Sequence, residues 1–210
     1  GGIDGFSVSK TAELYKPGPS IFEATGSMST ARAFHTATKL PHGKVLIVGG
    51  YNGDYLDSAE IYDPATASFS PAASMIGARS QHTATLLSNG TILIAGGKDS
   101  AGPLDTAEIY DPATGTFLAT EERMAATRYG HTATLLNDDT DATNGDNDQV
   151  VITGGFGIND CHPDTDTDTT TSTDRKTDEC DNYDDAGLNH PLNSAEIYNP
   201  VSQTFVRTAG

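Results

Sequence analysis

HTATKLPHGKVLIVGG, residues His35 to Gly50, returns as HTATLLSNGTILIAGG between His82 and Gly97. In both copies a threonine-rich alternating segment leads through a short turn into a continuous apolar run, VLIV or ILIA, that stops at a glycine pair. Short β-branched runs bounded by turn residues read as strands, not helices. The turns LPHGK and LSNGT place a glycine where a hairpin needs positive φ. A third copy, HTATLLNDDTDATNGDNDQVVITGG, fills His131 to Gly155 with the same two ends and an acidic middle.

Outward from these copies the whole chain repeats. The glycine pair recurs at Gly1, Gly49, Gly96 and Gly154, and Ala-Glu at Ala12, Ala59, Ala107 and Ala195, with an undisturbed period of 47 to 49 residues. Tyr15, Tyr62, Tyr110 and Tyr198 each precede a phenylalanine by seven residues, at Phe22, Phe69, Phe117 and Phe205. Met28, Met75 and Met124 precede Arg32, Arg79 and Arg128 by four residues, and each arginine precedes a histidine by three. One unit has been copied, and each unit reads as four short strands: HTAT, the apolar run, AEIYDP stopped by its proline, and a brief segment around the Phe. No stretch has the 3.6-residue period of an amphipathic helix. Four-stranded units at this period imply an all-β propeller, whose blades hide their faces against one another.

The diglycine after an apolar strand, followed by a Tyr and a second aromatic at fixed spacing, resembles the kelch signature. GG, AEIYDP and HTAT together are similar to bacterial kelch and galactose-oxidase-like propellers. The resemblance spans nearly all of the chain outside two insertions, and it departs from the family at one point: the usual tryptophan is Phe at all four positions, and the chain has no Trp. With strands lettered a to d from the centre outward, the chain holds about three and a half four-stranded blades: a half blade over 1–28, blades over 29–75 and 76–124, and a blade over 125–210 with insertions at 137–149 and 156–192. Family propellers commonly have six or seven blades, so the expectation is a segment of a longer polypeptide.

Charge isolates the insertions. The chain has 12 Lys and Arg against 29 Asp and Glu, a net charge of −17. Five of the acids fall between Asp138 and Asp148 and ten between Asp160 and Asp185, accompanied only by Arg175 and Lys176. Without clustered Lys and Arg, nucleic acid is excluded as a natural partner. No run approaches the roughly 18 apolar residues of a membrane span.

Residues present in every unit are expected to do the same structural job in each. That assigns His35, His82 and His131 to framework hydrogen bonds rather than to catalysis or metal binding. It also suggests a buried ladder in which Arg32, Arg79 and Arg128 pair with the glutamates of AEIY, Glu13, Glu60, Glu108 and Glu196.

The unique chemistry lies in the third complete blade. Its two cysteines, Cys161 and Cys180, are the only ones in the chain. A bridge between them would close a loop of about 20 residues, worth about 3 kcal/mol in the chain-entropy model, and would imply an oxidising compartment; free thiols are the alternative. Asp164, Asp166 and Asp168 offer oxygen ligands at the spacing calcium loops use, although the glycine and final Glu of an EF-hand are absent. Asp139 and Asp141, with Asp146 and Asp148, form a second calcium candidate. A solvated acidic loop is the competing reading of both segments. His162 and His190 could add nitrogen ligands, but no Cys/His zinc spacing occurs. Because antiparallel strands reverse, the a–b turn and the b–c connection leave opposite faces of the propeller, so the two acidic segments are not expected to form one site.

In kelch relatives the b–c and d–a connections often line the ligand face, so the resemblance places the longer insertion there. The functional expectation is a noncatalytic interaction module, extracellular, at the cell surface or periplasmic, binding a protein, a glycan or another copy of itself. Asp164, Asp166, Asp168, Asp178 and Glu179 are the expected binding residues, and calcium is the only cofactor suggested. The alternative is a fragment of a galactose-oxidase-like copper radical oxidase. That chemistry needs a Cys cross-linked to a Tyr beside further Tyr and His ligands, and no such constellation is visible.

Overall fold

Every element that alternation and β-branching predict forms as a strand. The computed structural model describes residues 1–5, 7–136, 148–157 and 190–208, and among these every named element is a strand. The chain opens with β1 (Gly2–Asp4) and β2 (Ser7–Ser9), then β3 (Glu13–Lys16) and β4 (Ile21–Ala24). The first complete blade has β5 (Thr36–Lys39), β6 (Val45–Val48), β7 (Ala59–Asp63) and β8 (Ser68–Pro71). The second has β9 (Thr83–Leu86), β10 (Ile92–Ala95), β11 (Lys98–Asp99), β12 (Gly102–Pro103), β13 (Ala107–Asp111) and β14 (Thr116–Ala119). The third has β15 (Thr132–Leu136), β16 (Gln149–Thr153), β17 (Phe156–Gly157), β18 (His190–Pro191), β19 (Ala195–Asn199) and β20 (Thr204–Arg207). No helix is long and apolar enough to cross a membrane among the described residues.

The sheets are antiparallel meanders in chain order: β5-β6-β7-β8, β9-β10-β13-β14 and β15-β16-β19-β20, with β3-β4 as a two-stranded sheet. Repeated four-stranded antiparallel sheets of this kind are consistent with the blades of a β-propeller. The packing explains why the b strands are apolar throughout. On β10, Ile92 and Ile94 join Leu46, Val48, Ala59, Met75 and Tyr110 in one cluster, while Leu93 and Ala95 join Val150, Ile152, Met124 and Tyr198 in another. Side chains alternate at a period of two, so a strand covered on both faces must be apolar at every position.

Each Tyr of AEIY stands opposite its Phe across the c–d pair, as in Tyr110↔Phe117. The rings lie 4.7 to 5.1 Å apart in all four sheets. In the β3-β4 sheet the same pair is uncovered: Tyr15 is 54% and Phe22 67% exposed, against buried Tyr62, Tyr110 and Tyr198. The c–d turns share a geometry that the sequence conceals. Asp63, Asp111 and Asn199 each accept a hydrogen bond from the backbone N–H two residues on. The turn then closes with a left-handed residue, which is Ser20, Ala67, Gly115 or Gln203.

Two expected boundaries move. Gln149, expected inside the first insertion, is the first residue of β16 and pairs with Leu136. The second insertion, expected over 156–192, is narrower because Phe156 and Gly157 pair with Pro191 and His190, the ladder that Lys98 and Asp99 make with Pro103 and Gly102. The sequence carried this signal, since HPLNSAEIY repeats GPLDTAEIY. Thr153 pairs with Ala195 at one end of β16 and Gln149 with Leu136 at the other, so the two insertions leave opposite ends of that strand.

Candidate functional site

The repeated polar residues are consumed by the frame. The Arg79 guanidinium bonds Glu108 Oε1 at 2.8 Å and donates from Nη1 to the carbonyls of Gly96 and Thr106 at 2.9 and 3.0 Å. Glu108 in turn accepts the N–H groups of Ile76 and Gly77, tying strand c to the connection from the preceding blade. Arg32–Glu60 at 2.9 Å and Arg128–Glu196 at 2.7 Å repeat the arrangement, with both side chains buried. Burial opposes ionisation of Glu60, but the Ser29 N–H and the Arg32 guanidinium offset it and hold the carboxyl below its usual range. Glu13, expected in the same ladder, is exposed and has no arginine partner among the described residues.

His82 and His131 are framework too. His82 Nε2 meets Thr36 Oγ1 at 2.9 Å and His131 Nε2 meets Thr83 Oγ1 at 3.0 Å, each reaching back to the preceding blade. Burial, reinforced by the neighbouring arginine, pushes His82 down to about 3 and His131 to about 4, so both are neutral at pH 7. Among the described residues no three His, Cys, Asp or Glu side chains are grouped to hold a metal ion.

The diglycine explains how blades seat. Gly97 donates its N–H to the Arg128 carbonyl at 2.8 Å. A Cβ on Gly96 would lie 2.6 Å from that same oxygen and 2.8 Å from His131 Cε1. A side chain at this position would separate the blades, so glycine is required where a further blade packs on the end of the b strand, at Gly49 as at Gly96.

Asp148, the last member of the second calcium candidate, is already engaged. Its carboxylate accepts the Ser88 N–H at 2.8 Å and the Ser88 hydroxyl at 2.9 Å, clamping the third blade to the a–b turn of the second. Asp139, Asp141 and Asp146 lie outside the described residues. So do Asp164, Asp166, Asp168, Asp178, Glu179, His162, Cys161 and Cys180.

What varies from blade to blade gathers on one face. Just before each histidine stand Ala33-Phe34, Ser80-Gln81 and Tyr129-Gly130; just after each glycine pair stand Tyr51, Lys98 and Phe156. Backbone bridges join Ala33 to Tyr51, Ser80 to Lys98 and Tyr129 to Phe156. Neighbouring blades are linked by Gln81 N–H to the Phe34 carbonyl at 3.0 Å and Gly130 N–H to the Gln81 carbonyl at 2.9 Å. A repeated and fully bonded backbone thus presents non-repeated side chains.

Four of those residues, Phe34, Tyr51, Tyr129 and Phe156, are aromatic and partly open to solvent. Phe34 is 51% and Phe156 44% exposed. Tyr51 and Tyr55 meet edge to face at 5.1 Å, Tyr129 stacks on Phe156 at 5.7 Å, and the Lys98 ammonium sits 4.7 Å over the Tyr129 ring. Phe34 has φ of 55°, the left-handed region a bulky side chain normally avoids; Gln81 repeats the value and Gly130 is close at 63°. Sequence reasoning missed this cluster, whose only signal was a change of residue type at fixed distance from His and from Gly-Gly. The longer insertion leaves and rejoins the frame at the same end, through Gly157 and His190.

The family model of the Kelch motif matches residues 40–76 and 79–118. These are kelch repeats. Kelch repeats typically mediate contacts between proteins. No curated protein matches the chain. The two matched segments take in the first complete blade from the end of β5 and the second as far as β14, and so include Tyr51, Tyr55, Gln81 and Lys98 of the aromatic face.

Proposed function

We propose that this kelch chain is a noncatalytic interaction module working outside the cytoplasm, and that it recognises a protein or glycan through the face bearing Phe34, Tyr51, Tyr129 and Phe156. The observation that carries the reading is the division of labour in the repeat. The recurring Arg–Glu pairs of the complete blades are buried and bonded, whereas the positions that differ at and beside the bridges include four aromatic residues, of which Phe34 and Phe156 are exposed and Tyr51 and Tyr129 half-buried. Exposing large rings, one of them in a left-handed conformation, costs stability and serves no packing purpose.

An extracytoplasmic setting is supported by the only two cysteines, Cys161 and Cys180, falling within one insertion, where a bridge would restrain Asp164, Asp166 and Asp168 as calcium ligands. Calcium would then act as a structural ion of that insertion, with Asp139 and Asp141 of the shorter insertion a separate candidate.

A photo-reactive residue placed at Tyr51, compared with one at Lys44 on the opposite end of β6, tests the assignment. Adducts with the natural partner should form at position 51. Adducts confined to position 44 would move recognition to the other face.

A further inference from the structure

Resting on that reading, we infer that the occupant of the aromatic face is a basic segment of a partner protein, whose Lys and Arg side chains seat on the exposed rings. Three observations converge on it. The rings present π faces, and one of them already holds a cation, Lys98 over Tyr129 at 4.7 Å. Beside that pair, Phe34 and Phe156 are 51% and 44% exposed, Phe156 with one face stacked on Tyr129, and Tyr51 and Tyr55 meet edge to face with half-buried rings. Aromatic faces attract ammonium and guanidinium groups through the ring quadrupole.

The charge around the face has the sign that such a partner needs. The b–c connections over residues 51–58 and 98–106 hold Asp54, Asp57, Asp99 and the Arg123-paired Asp105 against Lys98 alone. Between Gly157 and His190, which pair at this end of the blade, the sequence holds ten further carboxylates with only Arg175 and Lys176 to balance them. A basic segment arriving here is steered by a negative field and then fixed by ring contacts. An acidic peptide or a nucleic acid would meet like charge.

The repeat supplies conservative variants. Gln81 occupies the same backbone position as Phe34 at the same φ of 55°, so Phe34→Gln keeps a residue the fold already accepts there. The experiment titrates the 210-residue chain calorimetrically with nona-arginine, and separately with the neutral oligosaccharide chitohexaose, at physiological ionic strength. Wild type is expected to bind the peptide. Phe34→Gln combined with Phe156→Gln, which leaves the net charge unchanged, is expected to weaken binding by about tenfold while thermal unfolding still reports a folded chain. If the pair fails to fold, Phe156→Lys, which places the residue of position 98 in the third blade, is read in its place with the same expectation. Peptide affinity equal in wild type and variant would mean that the acidic residues alone hold the peptide, and overturns the inference. Binding of chitohexaose without the peptide also overturns it, but if the aromatic variants abolish that binding the face remains the recognition surface. No binding of the peptide by wild type overturns the basic partner outright.

Discussion

Arg79 and Glu108 meet at 2.8 Å with each side chain 2% exposed, and together they bond the end of strand b, the start of strand c and the connection from the preceding blade. A buried pair replaced on one side leaves an uncompensated charge and orphans its backbone partners. Arg79→Ala should therefore destabilise the chain by about 3–5 kcal/mol, read as a lower urea midpoint. An unchanged midpoint would show that the pair is not holding the blade.

That pair was legible because recurrence exposes shared roles. Arg79 and Glu108 keep their places in every complete blade, as do the glycines and Tyr110, since identical backbone geometry demands identical side chains. The aromatic face was not legible for the opposite reason. Phe34, Gln81 and Gly130 share a left-handed φ, yet only the glycine announces it, and nothing in the residue types says that two N–H to carbonyl bonds among them link neighbouring blades. Glu13 belongs to the ladder by sequence and stands outside it in the structure, because a repeat pattern marks the position and not the presence of a partner.

Gly96 and Gly154 form a controlled comparison. Both have φ near 60°, so alanine strains the backbone equally at each. A Cβ on Gly96 would also meet the Arg128 carbonyl at 2.6 Å, whereas on Gly154 the nearest atom is the Leu192 carbonyl at 3.7 Å. Gly154→Ala should cost about 1–2 kcal/mol, the left-handed penalty alone, and Gly96→Ala clearly more, because the second and third blades must part. Equal losses in denaturant unfolding would mean that the diglycine is required only for its conformation.

The buried histidines make the chain acid-sensitive well above the carboxylate range. His82 is held at about 3 and His131 at about 4, below the ordinary 6.5, so the native state stays unprotonated where the unfolded chain takes up protons. The stability they contribute is complete above pH 6.5 and is lost as pH falls towards 4 and then 3. Each histidine adds a slope of up to about 1.4 kcal/mol per pH unit within that window. Chemical unfolding at a series of pH values should show the decline beginning near 6.5, and replacing His131 by Gln should flatten it; a stability curve level down to pH 4.5 would contradict the assignment.

Tyr62 and Tyr198 occupy one repeat position with opposite hydrogen-bonding outcomes. The Tyr62 hydroxyl meets Thr25 Oγ1 at 2.7 Å across to the half blade, while the buried Tyr198 hydroxyl has no partner among the described residues. Burial alone raises Tyr198 to about 12, so the phenol stays neutral and the cost is that of a desolvated O–H. Removing a satisfied hydroxyl loses a hydrogen bond, whereas removing an unsatisfied one relieves a penalty. Tyr62→Phe is expected to destabilise by about 1 kcal/mol, and Tyr198→Phe to be neutral or to raise the melting temperature. The ring packing on Phe69 and Phe205, 4.8 Å in both sheets, is preserved by either change, so the difference isolates the hydroxyl. A Tyr198→Phe variant as unstable as Tyr62→Phe would reveal a bonded hydroxyl and defeat the prediction.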